Sequence, residues 1–179
     1  GKNLALVLVY TTIIFMLSSV MFFSLSIRHE ALSVLESAPE IVVQKIMAGR
    51  HDLVPIRYAD EVRRIRGVKA VKQRLWGYYY HPAAEANFTL MVPSASPPPD
   101  GEVSVGRGVL RTWPTHEKGE ILLAASDGSV LSFMVSGVFE EETELVASDL
   151  ILTSEKSFRQ LTGMPEGFAT DLSVSVRNP

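Results

Sequence analysis

The pattern of hydrophobic and polar positions divides the chain into three regimes. No charged residue occurs from Asn3 to Ile27, and within that run Leu4 to Phe23 carries twelve Leu, Ile, Val or Phe side chains. As a helix the run reaches about 37 Å, enough to cross a hydrocarbon layer of about 30 Å with some tilt. Those twelve side chains contribute roughly −4 to −7 kcal/mol to insertion before the cost of Tyr, Thr and Ser is counted. The pattern predicts a transmembrane helix over residues 1–27. From Arg28 to Ala38 charges return, yet there is no Gly or Pro, and Leu25, Leu32, Val34, Leu35 and Ala38 keep up an apolar face until Pro39 ends it. Residues 28–39 therefore read as a helical stalk continuing out of the membrane.

Beyond Pro39 the period shortens to that of strands. Glu40 to Met47 alternates and is rich in branched residues, and Gly49 to Asp52 reads as a turn. A helix over Tyr58 to Ile65, with Ala59, Val62 and Ile65 on one face and Gly67 as its left-handed stop, leads into a long strand from Val68 towards Tyr80 and another over Ala86 to Val92. These elements compose a β-α-β-β unit whose helix covers one face of the sheet. Ser94 to Gly101 contains three consecutive prolines, which remove donors and fix the backbone, so it is expected as a linker or exposed loop near a lobe boundary at 94–101. A second, small β-rich lobe follows. It has a short strand over Glu102 to Val105, a short helix over Gly106 to Thr112, and a hairpin of Glu120 to Ala125 with Val130 to Phe139 around Asp127-Gly128. Strand Asp149 to Thr153, a helix over Glu155 to Leu161 capped by Ser154 and stopped by Gly163, and strand Leu172 to Val176 complete it. The expected class is α+β: membrane helix 1–27, stalk 28–39, and a mixed domain over 40–179.

The polar residues inside the apolar run sharpen the picture. Thr11 with Ser18, and Thr12 with Ser19 and Ser26, recur at seven-residue spacing and lie along one stripe, which suits close packing against other membrane helices. The plainer reading is that each hydroxyl bonds back to its own helix. With no second apolar run, the stripe's partners are expected on other chains or on a continuation of this one. A cleaved signal peptide is the competing reading of the whole run, although its core is normally about 7 to 15 residues and precedes a small-residue cleavage site. Lys2 is the only charge before Arg28, which favours the amino terminus inside and the folded part outside the cytoplasm.

Charge and composition exclude more than they assign. The net charge is −3, so the part beyond residue 27 carries −4, which argues against a nucleic-acid partner. Without cysteine there are no disulfides and no thiolate chemistry. There is no GxxxxGK[ST] loop for nucleotide, no GxSxG elbow and no HExxH pair among the histidines at 29, 51, 81 and 116. His51-Asp52 alone is a poor metal site and Gly106-Arg107-Gly108 lacks a third glycine, so no catalytic residue, cofactor or metal is expected.

Three stretches are candidate surfaces instead. Arg57 to Arg74 has seven basic residues, Arg63, Arg64 and Arg66 among them, against two acids, a local +5 suited to anionic lipid or an acidic partner. Glu140, Glu141, Glu142 and Glu144 form an acidic loop. Alternation places Trp76, Tyr78 and Tyr80 on one face of a strand and Tyr79 on the other, and aromatics of this kind serve both sheet packing and partner contact.

The order of these elements carries a resemblance. An apolar span and stalk, then EVRRIRGVKAVKQRL, GEVSVGRGVLRT, KGEILLAASDGSVLSFMVSGVF, DLILTSEKSFRQLTG and LSVSV resemble, in sequence, the extracytoplasmic core domain of FtsX-like/MacB-like ABC transporter permeases. Trp113 to Lys118, where the family commonly has a Leu-Gly-hydrophobic stretch, and the Tyr- and Pro-rich Trp76 to Pro99 depart from its pattern. The resemblance implies a non-catalytic permease subunit in a bacterial inner membrane with its domain in the periplasm. It also implies a separate ABC ATP-binding subunit, a second permease copy or paralogue, lipid contact, and transmission of movement through the stalk to a periplasmic substrate or partner. A single-span sensor or binding module is the alternative from another class. A pilin-like subunit would have a glutamate near the start of its helix, and here no acid precedes Glu30.

Overall fold

A computed structural model of the chain describes residues 1–36, 41–113, 119–138 and 147–177, the side chains of 30–36 excepted. The acidic loop and most of the Trp113 to Lys118 departure lie outside the described residues. Two compact units divide the chain at residues 39 and 40.

The first unit is one helix, α1 (Lys2–Glu36), unbroken through Arg28 and about 52 Å long. Its apolar part, Lys2–His29, is long and apolar enough to cross a membrane and is not buried within the protein, which is compatible with a membrane anchor or a signal sequence. The Thr12 hydroxyl donates to the Leu8 carbonyl at 2.9 Å, so at this position of the stripe the helix satisfies its own polar group.

The second unit is α+β. Its strands are β1 (Ile41–Val43), β2 (Lys45–Met47), β3 (Arg50–Asp52), β4 (Val54–Pro55), β5 (Val68–His81), β6 (Ala86–Val92), β7 (Glu102–Val105), β8 (Glu120–Ala124), β9 (Val130–Val138), β10 (Leu150–Thr153), β11 (Phe168–Ala169) and β12 (Asp171–Val176). Three short helices, α2 (Arg57–Arg63), α3 (Arg107–Thr112) and α4 (Glu155–Thr162), join them. Eight strands form one mixed sheet in the order β1-β12-β5-β6-β10-β7-β9-β8, so strands from both sides of the proline-rich segment belong to the same sheet. That segment is tied down at its end: the Ser154 hydroxyl, which caps α4 by accepting from Ser157 N, donates to Asp100 at 2.6 Å. With Lys156 beside it as well, the Asp100 carboxyl lies below its usual range.

Two local expectations change. Glu40 to Met47 is not one strand: β1 pairs with β12, whereas β2 pairs with β3. The turn falls at Ala48-Gly49, both at positive φ, and Arg50–Asp52 is a strand instead of part of the turn. The short pair β4–β11, with two residues on each side, has too little period to be legible.

Alternation along β5 sorts the sheet into an inner and an outer face. Leu75, Phe88, Leu90, Val103, Val105, Ile121, Leu123, Phe133 and Ile151 face inward and form one core with Val109 of α3 and Phe158 and Leu161 of α4. A second cluster, Val54, Ala59, Val71, Leu172 and Val174, lies under α2. The Tyr79 hydroxyl, on the inner face of β5, accepts from Ala124 N of β8 at 2.8 Å. Five strand spacings separate β5 from β8 in the sheet, about 24 Å if it were flat, so the contact requires the sheet to roll inward. It also occupies a backbone donor on an edge strand. Tyr79→Phe is expected to cost about 0.5–1.5 kcal/mol in urea unfolding. Faster amide exchange at Ala124 in that variant is the local check.

Close backbone approach explains one glycine in the family-like stretch. A Cβ on Gly106 would collide with the carbonyls of Ala147 and Ser148, and Gly106 N donates to Leu150 O at 2.9 Å. Only glycine lets the start of α3 lie this close to the chain entering β10.

Candidate interaction face

The outer face of the rolled sheet displays the aromatic residues of β5. Trp76, Tyr78 and Tyr80 point outward, and Tyr78 is 78% and Tyr80 55% exposed. On the same face, in the register of the sheet, stand Thr89 and Met91 of β6, Leu150 and Leu152 of β10, and Leu122, Val130 and Met134 of β8 and β9. The last three are large apolar side chains left more than half exposed. A solvated antiparallel face normally alternates to polar residues here, so this is an unusual outward surface.

Its four aromatic residues have separate roles. Tyr79 faces inward, packed against the core, and burial pushes its phenol up while the hydrogen bond from Ala124 N lowers it. Trp76 is anchored: its indole N–H donates to Asp171 Oδ2 at 2.9 Å, and its backbone N and O both bond the Thr170 hydroxyl. Asp171 is fully buried and also accepts from Arg74 Nε and Nη2 at 2.6 and 2.7 Å, a bidentate pair between directly opposed residues of β12 and β5. Tyr78 stands edge-on against the fixed Trp76 ring at 5.6 Å. The two exposed tyrosines thus rise from a strand held rigidly at its base.

The basic stretch does not act as one patch. Arg74 is consumed by Asp171, and Arg63 pairs with Asp60. Arg57 lies over the Tyr58 ring. Arg64 and Arg66 remain exposed near the end of α2, on the inner side of the sheet, away from the outward tyrosines. Sequence reasoning missed Asp171, whose one signal was an acid opening a strand that otherwise alternates serine with apolar residues, and it missed His81.

His81 ends β5 inside a second aromatic group. Its ring centroid lies 4.0 Å from that of Trp113, which in turn is 5.3 Å from Phe88, and its Nδ1 accepts from Ala84 N at 3.0 Å. Burial lowers the His81 pKa below its ordinary 6.5. The unfolded chain therefore binds a proton at a higher pH than the fold does, so the stabilising contribution is complete above about 6.5 and is lost as pH falls below it. His81→Gln is expected to flatten the stability profile below about pH 6.5, as urea midpoints against pH would show.

No group of three or more His, Cys, Asp or Glu side chains able to hold a metal ion occurs among the described residues. No family model matches the chain, and a search of curated proteins finds no match either.

Proposed function

We propose that the chain is the first membrane helix and the extracytoplasmic domain of an ABC transporter permease of the FtsX-like/MacB-like kind. The observation that carries this reading is the pairing of β1 with β12. Ile41 opposes Val174 and the strands run antiparallel, so the start of the first strand after the apolar helix and the exit of the last strand described lie at the same end of the sheet. A domain inserted between two membrane helices needs that arrangement. Within the main sheet, β1 precedes α2 and β5 and β6 follow it, which supports a β-α-β-β unit, although the short strands β2, β3 and β4 intervene before α2 and β12 is placed between β1 and β5. The unbroken α1 supports a stiff connection, because a continuous helix can pass movement on where a loose tether cannot.

In this reading ATP is hydrolysed by a separate cytoplasmic subunit, and a second permease copy or paralogue packs on the hydroxyl stripe of Thr11, Thr12, Ser18, Ser19 and Ser26. The chain sits in the inner membrane with its domain in the periplasm. Tyr78 and Tyr80 contact the periplasmic substrate or partner, since two aromatic side chains on an uncovered sheet face offer a large contact area.

The test is gentle-detergent purification of the chain from membranes, with recovery of a nucleotide-hydrolysing subunit as the expected result. Recovery alone, as a one-helix membrane protein, would replace the permease by a single-span binding module. Tyr78→Ala with Tyr80→Ala should leave stability within about 0.5 kcal/mol while reducing capture of the periplasmic partner.

A further inference from the structure

A groove lies between α2 and the β1–β12 edge of the sheet, with a volume of about 880 Å³. Ile41 of β1, Val174 and Val176 of β12, and Val62 and Ile65 of α2 make it apolar, and Arg66 and Arg177 stand beside them. Its floor continues the second core cluster, while Ile41 and Ile65 at its margin are 47% and 59% exposed. The two arginines are set on the same margin by the backbone: Gly67, at φ +97, turns its carbonyl to accept from Arg177 N at 2.9 Å. Among the described residues neither guanidinium has a carboxylate partner.

We propose that this groove binds an anionic membrane phospholipid, with an acyl chain on the valine and isoleucine surface and the phosphate between Arg66 and Arg177. The chemistry selects an amphiphile. A neutral apolar ligand would leave two guanidiniums without a counter-charge, and a purely polar anion would leave the apolar floor in water. The size falls within the range of ligand sites, about 300–1,000 Å³. The membrane is the source because of the covalent connection: thirteen residues separate Ile27, the end of the uncharged run, from Ile41, which lines the groove. Nine of them, residues 28–36, are helical, so the connection spans at most roughly 32 Å. The inference rests on α1 lying in the bilayer, as proposed above.

The full chain would be reconstituted into phosphatidylcholine vesicles doped with phosphatidylglycerol carrying a photoreactive acyl tail, irradiated, and its adducts mapped by peptide mass spectrometry. Adducts are expected on α1 and on the peptides containing Ile65 and Val174. Arg66→Gln with Arg177→Gln, both exposed positions whose loss spares the fold, should reduce the groove adducts about tenfold and leave those on α1 unchanged. Labelling of α1 without the groove overturns the proposal and leaves the membrane reading standing. Absence of adducts on α1 as well overturns both. Groove labelling that is equal with a photoreactive phosphatidylcholine, or unaffected by the double substitution, overturns the phosphate contact and with it the proposal.

Discussion

Arg74→Ala is expected to destabilise the folded domain by about 3–5 kcal/mol, because it strands a fully buried carboxylate. Asp171 would keep only the Trp76 indole N–H at 2.9 Å as a side-chain donor, in place of three charge-assisted or indole hydrogen bonds. The surface ion pair Arg63–Asp60, with both side chains more than half exposed, should cost at most about 1 kcal/mol when broken, which makes it the matched control. A double variant, Arg74→Met with Asp171→Asn, removes both charges yet retains an acceptor for the indole, and it should recover most of the loss. Urea unfolding of the detergent-solubilised chain, followed by tryptophan fluorescence, measures all three against the parent. A single-variant cost below 1 kcal/mol would show that water reaches Asp171. The prediction bears on function because the same network holds Trp76, and Trp76 braces Tyr78.

Phe158→Ala should cost a similar amount, about 3–5 kcal/mol, through the cavity it leaves. Phe158 is completely buried on the inner face, in one cluster with Leu90, Val103 and Ile151 of three neighbouring strands. It is also the largest side chain by which α4, a helix of eight residues, is held down. So short a helix has little stability of its own and depends on this packing, on the Ser154 cap and on Gly163 at φ +70. The loss should therefore appear as faster amide exchange in α4 and β10 as well as in the urea midpoint. Phe158→Leu, which refills much of the space, should restore a large part of it. Equal exchange in both variants and the parent would mean that α4 is held by its ends alone.

Legibility followed the range of the interactions. Local signals were read well: Ser154 caps α4 and Gly163 ends it, the Asp127-Gly128 turn joins β8 to β9, and Ala86–Val92 is a strand with those bounds. Glycine and capping residues announce such features because their preferences are satisfied within a few residues of chain. The split of residues 41–52 into β1, β2 and β3 was not legible, since branched residues suit any strand and the choice of partner lies with β12, more than a hundred residues away. For the same reason the seven basic residues of 57–74 looked like one surface. Two of those charges are instead taken up by Asp60 and Asp171, and Arg66 stands at the open margin of a groove.

What the sequence by itself determined is the apolar run, the unbroken helix through it and the α+β character of the rest, because periodicity and the absence of Gly, Pro and charge act locally. Alternation alone also placed Tyr79 opposite Trp76, Tyr78 and Tyr80. Which of those faces would be covered was decided only by the tertiary structure. Helices α3 and α4 pack on one side of the sheet and nothing described packs over Tyr78 and Tyr80 on the other, so equivalent aromatic residues became core at one position and exposed surface at the next. Burial of Asp171 was decided in the same way. A carboxylate enters a sheet only when an opposing strand, in the right register, brings a guanidinium to meet it.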